Sequence, residues 1–233
     1  MAGIGIKLNR IYSKNTIVTN LMGFGYSTVI TIAPMFLVIA AVIIMQILLG
    51  FSSIGYAQRE LYSCTVLYIF VFALLTASPF NAVLSKYMSD VIYEEKYENI
   101  LPCYYVGLLL NTLLSAALGI PFCIHEYVVG KVDIFFVFSG YCGYMALMFV
   151  FYSMLYLSIC KVYKKISAFF LMGMGTTVLL SLLLTKVFHV SVIYSMLISL
   201  DVGFMLIASL EYALVRSYFR NSSDRYADVL RDF

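Results

Sequence analysis

Apolar residues run through this chain in long blocks separated by short charged clusters. Residues 15–58 contain no Asp, Glu, Lys, Arg or His, four further uncharged stretches follow, and a sixth is interrupted only by Asp201 and Glu211. A bilayer core of about 30 Å needs about 20 apolar residues per helix. The pattern therefore predicts six membrane-spanning helices, at about 22–49, 62–85, 101–121, 134–158, 166–186 and 190–213.

The apolar blocks are continuous, which argues against a transmembrane β-barrel. Barrel strands alternate in polarity over about 10 residues, whereas a run such as "MFLVIAAVIIMQILL" is apolar almost throughout. We predict an all-α, polytopic membrane protein with a six-helix bundle over residues 20–215. A basic interfacial segment at 1–19 precedes the bundle, and a cytoplasmic tail at 216–233 follows it. The mean hydropathy of +0.95 and the charged fraction of 12% agree with this class, since soluble domains carry about 25% charged residues.

Basic residues predict the orientation of the bundle. Of the 15 lysines and arginines, all but Arg59, Lys131 and Lys186 fall at one end of the predicted helices. Lys and Arg accumulate in cytoplasmic loops of membrane proteins, so both termini are expected in the cytoplasm. The net charge of +3 then reflects this bias, and no nucleic-acid partner is expected.

Sequence motifs for catalysis, cofactors or metals do not occur in the chain. The five cysteines have no C-x-x-C spacing, and there is no phosphate-loop, G-x-S-x-G or H-E-x-x-H motif. A cleavable signal peptide is not expected either, because the first apolar run is too long for one. These observations favour a membrane protein that is not an enzyme and that uses no cofactor and no metal.

Asp201 is the sharpest candidate functional residue. It lies near the middle of the last predicted span, where a carboxylate costs about 2.5–3.5 kcal/mol on insertion scales. Tyr194 shares its helical face at heptad spacing, and we expect this face to meet a polar cavity. Ser195, Ser199 and Gly203 form a small-residue stripe elsewhere on the helix that favours close packing. The alternative is a satisfied hydrogen bond that only fixes the helix position. Glu211, nearer the cytoplasmic end, is expected to reach water.

The first predicted span carries a polar face and a proline. Asn20, Gly23, Ser27, Thr31 and Pro34 recur at helical spacing. Pro34 has no N–H to donate, so a helix kink is expected there. A second kink is expected at Pro79, with Asn81 nearby. Two proline-broken, polar helices favour a gated path, although prolines are also simply common in membrane helices. The candidate pathway residues are Asp201, Tyr194, Ser27, Thr31 and Asn81.

One predicted cytoplasmic loop, "SKYMSDVIYEEKYENILP", is strongly acidic. Its acidic residues are Asp90, Glu94, Glu95 and Glu98. A charge run of this kind is usually a solvated surface, and the functional alternative is a docking site for a cytoplasmic partner. The next predicted loop, at 119–133, contains Pro121 and is expected to be a turn on the outer side.

The N-terminal run "MAGIGIKLNRIYSKNTIVTNLMGFGYSTVITIAPMF" resembles the start of the PelG family, the inner-membrane component of Pel exopolysaccharide export. The resemblance implies kinship with the multidrug, oligosaccharidyl-lipid and polysaccharide flippases, in which two six-helix lobes surround a cavity with alternating access. It also implies a cationic polysaccharide substrate that is moved outward. The implied partners are a cytoplasmic glycosyltransferase and other Pel-type membrane components, including one that binds cyclic-di-GMP. Asp201 would complement a cationic substrate in charge.

Six predicted helices are half of the number that the resemblance implies. The chain then corresponds to one lobe, as a truncated or split gene product, a fragment, or a half-size protein that pairs with a second lobe or another copy. Two functions remain open at this point. One is transport of polysaccharide across the membrane, and the other is a membrane scaffold that recruits a cytoplasmic glycosyltransferase without transporting by itself.

Overall fold

The computed structural model describes residues 17–93, 99–159 and 162–219. Within these ranges the chain is helical and contains no strand. The six long helices are α1 (Ile17–Leu48), α2 (Tyr56–Tyr93), α3 (Ile100–Val128), α4 (Ile134–Ile159), α5 (Tyr163–Lys186) and α6 (Val192–Tyr218), with a short 3-10 turn at Phe51–Ser53 between the first two. The predicted all-helical fold is therefore confirmed.

Helices α2 to α6 are each long and apolar enough to cross a membrane. The side chains of α1 are described from residue 32 onward. This described part of α1, Ile32–Leu48, is a shorter apolar helix. Large apolar side chains such as Ile47, Leu75 and Leu179 are exposed on the outside of the bundle. A helix that is apolar on its outer as well as its inner face is typical of a membrane span. The predicted polytopic membrane class is confirmed by these features.

Helix α6 is the most enclosed of the spans. It packs between α4 on one side and α5 on the other. Helix α2 packs against α4, α3 covers α2 and α4, and α1 packs against α5. Ser195, Ser199, Asp201 and Glu211 of α6 are buried in the bundle, whereas Ser209 and Tyr212 are exposed.

Two predicted loops are shorter than expected. Helix α3 continues through Pro121 to Val128, so the predicted outer turn at 119–133 is confined to the residues after the helix. Helix α2 likewise continues to Tyr93, so the first half of the predicted acidic loop is helical. A proline is tolerated inside a membrane helix because neighbouring groups satisfy the freed carbonyl. Charged residues can extend a helix beyond the bilayer, where water solvates them. Residues 1–16 of the predicted interfacial segment (1–19) and residues 220–233 of the predicted tail (216–233) lie outside the described residues.

Gly203, in the small-residue stripe on α6, makes a close contact with α5. Ser195, Ser199 and Gly203 are all buried. A Cβ at Gly203 would overlap the Thr177 hydroxyl and lie 3.0 Å from the carbonyl oxygen of Gly173 on α5. Small residues let two membrane helices approach closely, as predicted for this stripe.

Candidate functional site

Asp201 lies in the interface between α6 and α4. Its side chain is 6% exposed, and its Oδ2 accepts a hydrogen bond from Ser139 Oγ on α4 at 2.5 Å. Its Oδ1 is buried and has no hydrogen-bond partner. Hydrogen bonds to a charged acceptor are shorter and stronger than neutral ones. The carboxyl group therefore ties α6 to α4 through one oxygen and presents a second, unpaired oxygen inside the bundle.

The surface of α4 opposite Asp201 is shaped to receive the carboxyl group. Ser139 and Gly143 are four residues apart and lie on the same face of α4. A Cβ at Gly143 would collide with Asp201 Oδ1 and would also lie 3.2 Å from Ile69 of α2. Only glycine leaves room here, so α4 provides a notch with one hydrogen-bond donor for the carboxyl group.

Helix α2 borders this site through Ile69, which would lie 3.2 Å from a Cβ at Gly143. Tyr62, seven residues earlier on α2, is 1% exposed. Its hydroxyl group is buried and, like Asp201 Oδ1, has no hydrogen-bond partner. Sequence reasoning missed Ser139, Gly143 and Tyr62, because single serine, glycine and tyrosine residues in apolar spans carry no signal of their own.

Tyr194 shares the α4-facing side of α6 with Asp201, as the heptad spacing predicts. Its hydroxyl group donates to Asp133 Oδ2 at 2.7 Å, just before α4 begins. Its ring packs edge-on against Phe136, with a centroid distance of 5.5 Å. Tyr194 thus joins α6 to the α3–α4 turn about two helical turns away from Asp201, and the two residues bind different partners.

Of the remaining predicted pathway residues, Ser27, Thr31 and Asn81, only Asn81 has a described side chain. The side chains of Asn20, Gly23, Ser27 and Thr31 lie outside the described residues. Asn81 lies past the middle of α2, and its Oδ1 is buried without a hydrogen-bond partner.

Pro34 lies inside α1 and Pro79 inside α2, and both helices continue through these residues. The Thr76 hydroxyl group donates to the carbonyl of Phe72 at 2.8 Å. The Thr76 hydroxyl group therefore does not donate to the carbonyl of Leu75. That carbonyl lacks its usual helical donor because Pro79 has no N–H.

Acidic side chains of the predicted docking loop are only partly within the described residues. Asp90 is exposed on the last turns of α2. Glu94, Glu95 and Glu98 lie outside the described residues, so docking through this loop stays a prediction.

Glu211 is the main residue that sequence reasoning misplaced. We expected it to reach water, but its side chain is 0% exposed, and both carboxyl oxygens are buried without a hydrogen-bond partner. The reason is that α6 continues to Tyr218, so Glu211 lies two turns inside the packed helix. The spacing of Phe204, Ile207, Glu211 and Leu214, all buried, is the helical signal that could have found it.

A cleft of about 130 Å³ opens between α2, α3 and α4 at the end where the α3–α4 turn lies. Aromatic rings form much of its wall, including Tyr68, Phe72, Phe122 and Tyr141. Asp201 is not among its lining residues. Ser139 and Gly143 of α4 cover the Asp201 carboxyl group on that side, so the expectation that Asp201 faces a polar cavity stays a prediction.

Tyrosine side chains connect α3 to α4 at the opposite end of the bundle. Tyr104 and Ser153 share a hydrogen bond of 2.7 Å between their hydroxyl groups. Tyr152 donates to the Tyr104 carbonyl at 2.9 Å and lies 3.2 Å from the Tyr156 hydroxyl group. In the part of the chain that the structure describes, no group of three or more His, Cys, Asp or Glu side chains could hold a metal ion.

The fold and the buried acidic residues define the class of this protein, a polytopic helical membrane protein with polar groups inside its bundle. The PelG family model, described as "Putative exopolysaccharide Exporter (EPS-E)", matches residues 1–233. The chain therefore belongs to the PelG family, and the family supports a role in polysaccharide export, which is transport rather than catalysis. Comparisons with curated proteins and with solved structures gave no match.

Proposed function

We propose that this chain moves exopolysaccharide outward across the bacterial cytoplasmic membrane by alternating access, as a six-helix lobe that works with a second lobe or another copy. The family supports export, and the distribution of basic residues supports a cytoplasmic position for both termini. Asp201 is the single observation that carries the mechanism, because a buried carboxylate inside a membrane bundle is costly and marks functional pathways.

In this mechanism the Ser139–Asp201 bond holds α6 against α4 in the conformation described here. Outward passage of the polymer requires these helices to separate. The unpaired Asp201 Oδ1 then becomes accessible to a polar or cationic group of the substrate. A carboxylate that exchanges a protein donor for a substrate donor stays hydrogen-bonded in both states, which lowers the free-energy difference between them.

Replacement of Asp201 by Asn tests the role of the charge. Asparagine is nearly isosteric and can still accept a hydrogen bond from Ser139, so the bundle should fold and reach the membrane normally. We expect the Asp201→Asn variant to lower the amount of exopolysaccharide secreted per molecule of membrane-inserted protein by about tenfold or more, the effect of losing about 1.4 kcal/mol of interaction.

Two further variants make this test specific. Ser139→Ala removes the donor and should also reduce secretion, since hydrogen bonds to charged groups contribute about 1.5–3 kcal/mol. Glu60→Gln makes the same acid-to-amide change at an exposed position of α2 and should leave secretion unchanged. Normal secretion in the Asp201→Asn variant would show that Asp201 has only a structural role.

A further inference from the structure

Glu211 has no partner that stabilises a negative charge. Its side chain is fully buried, and neither carboxyl oxygen accepts a hydrogen bond. Within the described residues an ion pair joins His125 and Glu126, far from this end of α6. This environment differs from that of Asp201, where Ser139 donates to one oxygen. Glu211 is therefore the least compensated acidic side chain in the described bundle.

The charged and titratable groups of the surrounding helices are engaged elsewhere or exposed. The Tyr104 hydroxyl group of α3 shares a hydrogen bond with Ser153 of α4, and the Tyr212 hydroxyl group of α6 lies 3.3 Å from that of Tyr105. From α5, Lys165 lies over the Tyr218 ring at 5.3 Å from the centroid. The remaining charged groups at this end, Lys86 and Asp90 of α2, Lys164 of α5 and Arg216 of α6, are exposed. No cationic side chain of the described residues thus reaches the Glu211 carboxyl group.

An ionised carboxylate without a partner is not stable in such surroundings. Its transfer to an apolar medium is so costly that a buried group of this kind is neutralised instead. A bound divalent metal ion would need several oxygen ligands around it, six to eight for calcium. The described residues provide no group of acidic side chains that could share such an ion with Glu211. A proton needs no further ligand, because one carboxyl oxygen binds it covalently.

We propose that Glu211 is a proton-binding site inside the bundle, in the half of α6 that ends at Tyr218. The carboxylate takes one proton from a hydronium ion to form a neutral acid, so one carboxyl O–H bond forms, one hydronium O–H bond breaks and a water molecule is left. It can give the proton back only in a conformation that opens this part of α6 to water. Asp201 lies ten residues away, about 15 Å along the helix axis at about 1.5 Å per residue. Any movement of α6 therefore displaces both carboxyl groups.

The site itself does not depend on the proposed transport function, which enters only if the proton is used to drive polymer export. This separation allows the two proposals to fail independently. Labelling of the purified full-length chain with dicyclohexylcarbodiimide tests the proton site without any measurement of secretion. This apolar reagent adds to protonated carboxyl groups and rearranges to a stable N-acylurea, which peptide mass spectrometry locates.

We expect the reagent to modify Glu211 in the wild-type chain at mildly acidic pH. The rate of labelling should fall by about tenfold per unit of pH once the carboxyl group begins to ionise, and added sodium chloride should not change it. A water-soluble carbodiimide with an amine nucleophile should instead modify Glu60, which is exposed, and leave Glu211 unmodified. In the Glu211→Gln variant, the peptide that contains position 211 should stay unmodified at that position, which makes it the negative control. The variant should elute as the same folded species in size-exclusion chromatography.

Three results would overturn the proposal. Protection of Glu211 by sodium ions would show a metal-cation site in place of a proton site. Equal modification of Glu211 and Glu60 by the water-soluble reagent would show that the carboxyl group is open to water. An absence of modification of Glu211 by the apolar reagent at acidic pH, with the wild-type peptide indistinguishable from an untreated sample, would show that Glu211 holds no reactive proton.

Discussion

The contact between α5 and α6 at Gly173 and Gly203 allows the sharpest stability prediction. A Cβ at position 203 would overlap the Thr177 hydroxyl group and lie 3.0 Å from the Gly173 carbonyl oxygen. The Thr177 side chain already donates to that same carbonyl at 2.9 Å, and the carbonyl belongs to the helix backbone. The Gly203→Ala variant therefore forces the two helices apart, because neither obstacle can move alone.

The size of the effect follows from two opposing contributions. Overpacking of a tight interior costs about 1–3 kcal/mol, and the backbone obstacle places this site at the upper end. Alanine gains up to about 1 kcal/mol over glycine in helix propensity. The expected net loss is about 2 kcal/mol. For a chain of this size, each kcal/mol shifts Tm by about 2–4 °C, so Tm should fall by about 4–8 °C.

The matched control is Gly175→Ala on α5. A Cβ at Gly175 would have no atom within 4 Å, so this variant gains propensity without a collision. Its Tm should stay unchanged or rise by about 2–4 °C. The assay heats detergent-solubilised protein and measures the fraction that still elutes as a monodisperse peak. Equal Tm values for Gly203→Ala and Gly175→Ala would refute the close approach of α5 and α6 at this position.

Two further predictions concern buried amides and the acidic loop. Asn111 on α3 is 0% exposed, and both amide atoms lack a hydrogen-bond partner. An unpaired buried polar group costs about 1–3 kcal/mol, so the Asn111→Leu variant should raise the Tm by about 2–12 °C. A lower Tm would show that the amide has a partner in the membrane. If the acidic loop recruits a glycosyltransferase, joint replacement of Glu94, Glu95 and Glu98 by Gln should abolish co-purification of that enzyme, whereas Asp201→Asn should retain it. Unchanged co-purification of the triple variant would exclude docking through these side chains.

Hydropathy along the chain was sufficient to predict the number and type of the long helices. Uncharged runs of 20 or more residues have few structural solutions, because every backbone polar group in a bilayer core must be satisfied within the helix. The helix ends were less predictable. Helix α3 runs through Pro121, and α2 extends into the acidic segment, since neither a proline nor a surface charge is a strict end signal in a membrane protein.

The candidate site was predictable only in part. Asp201 stands out in the sequence because a charge near the middle of a span is rare, and the stripe that ends at Gly203 correctly predicted a packing face. The partner of Asp201, however, is Ser139, which lies 62 residues away in the chain. Nothing in the local sequence around Ser139 distinguishes it from the other serines in the spans.

The sequence by itself determined that this protein is a bundle of membrane helices with an acidic residue inside its last span. The reason is that each segment partitions between lipid and water according to its own hydrophobicity. Only the tertiary structure decided which helices meet. It buried Glu211, covered Asp201 with α4 and gave Tyr194 a different partner. The physical reason is that helices in lipid associate through shape, small residues and hydrogen bonds, which depend on pairs of distant residues that hydropathy does not record.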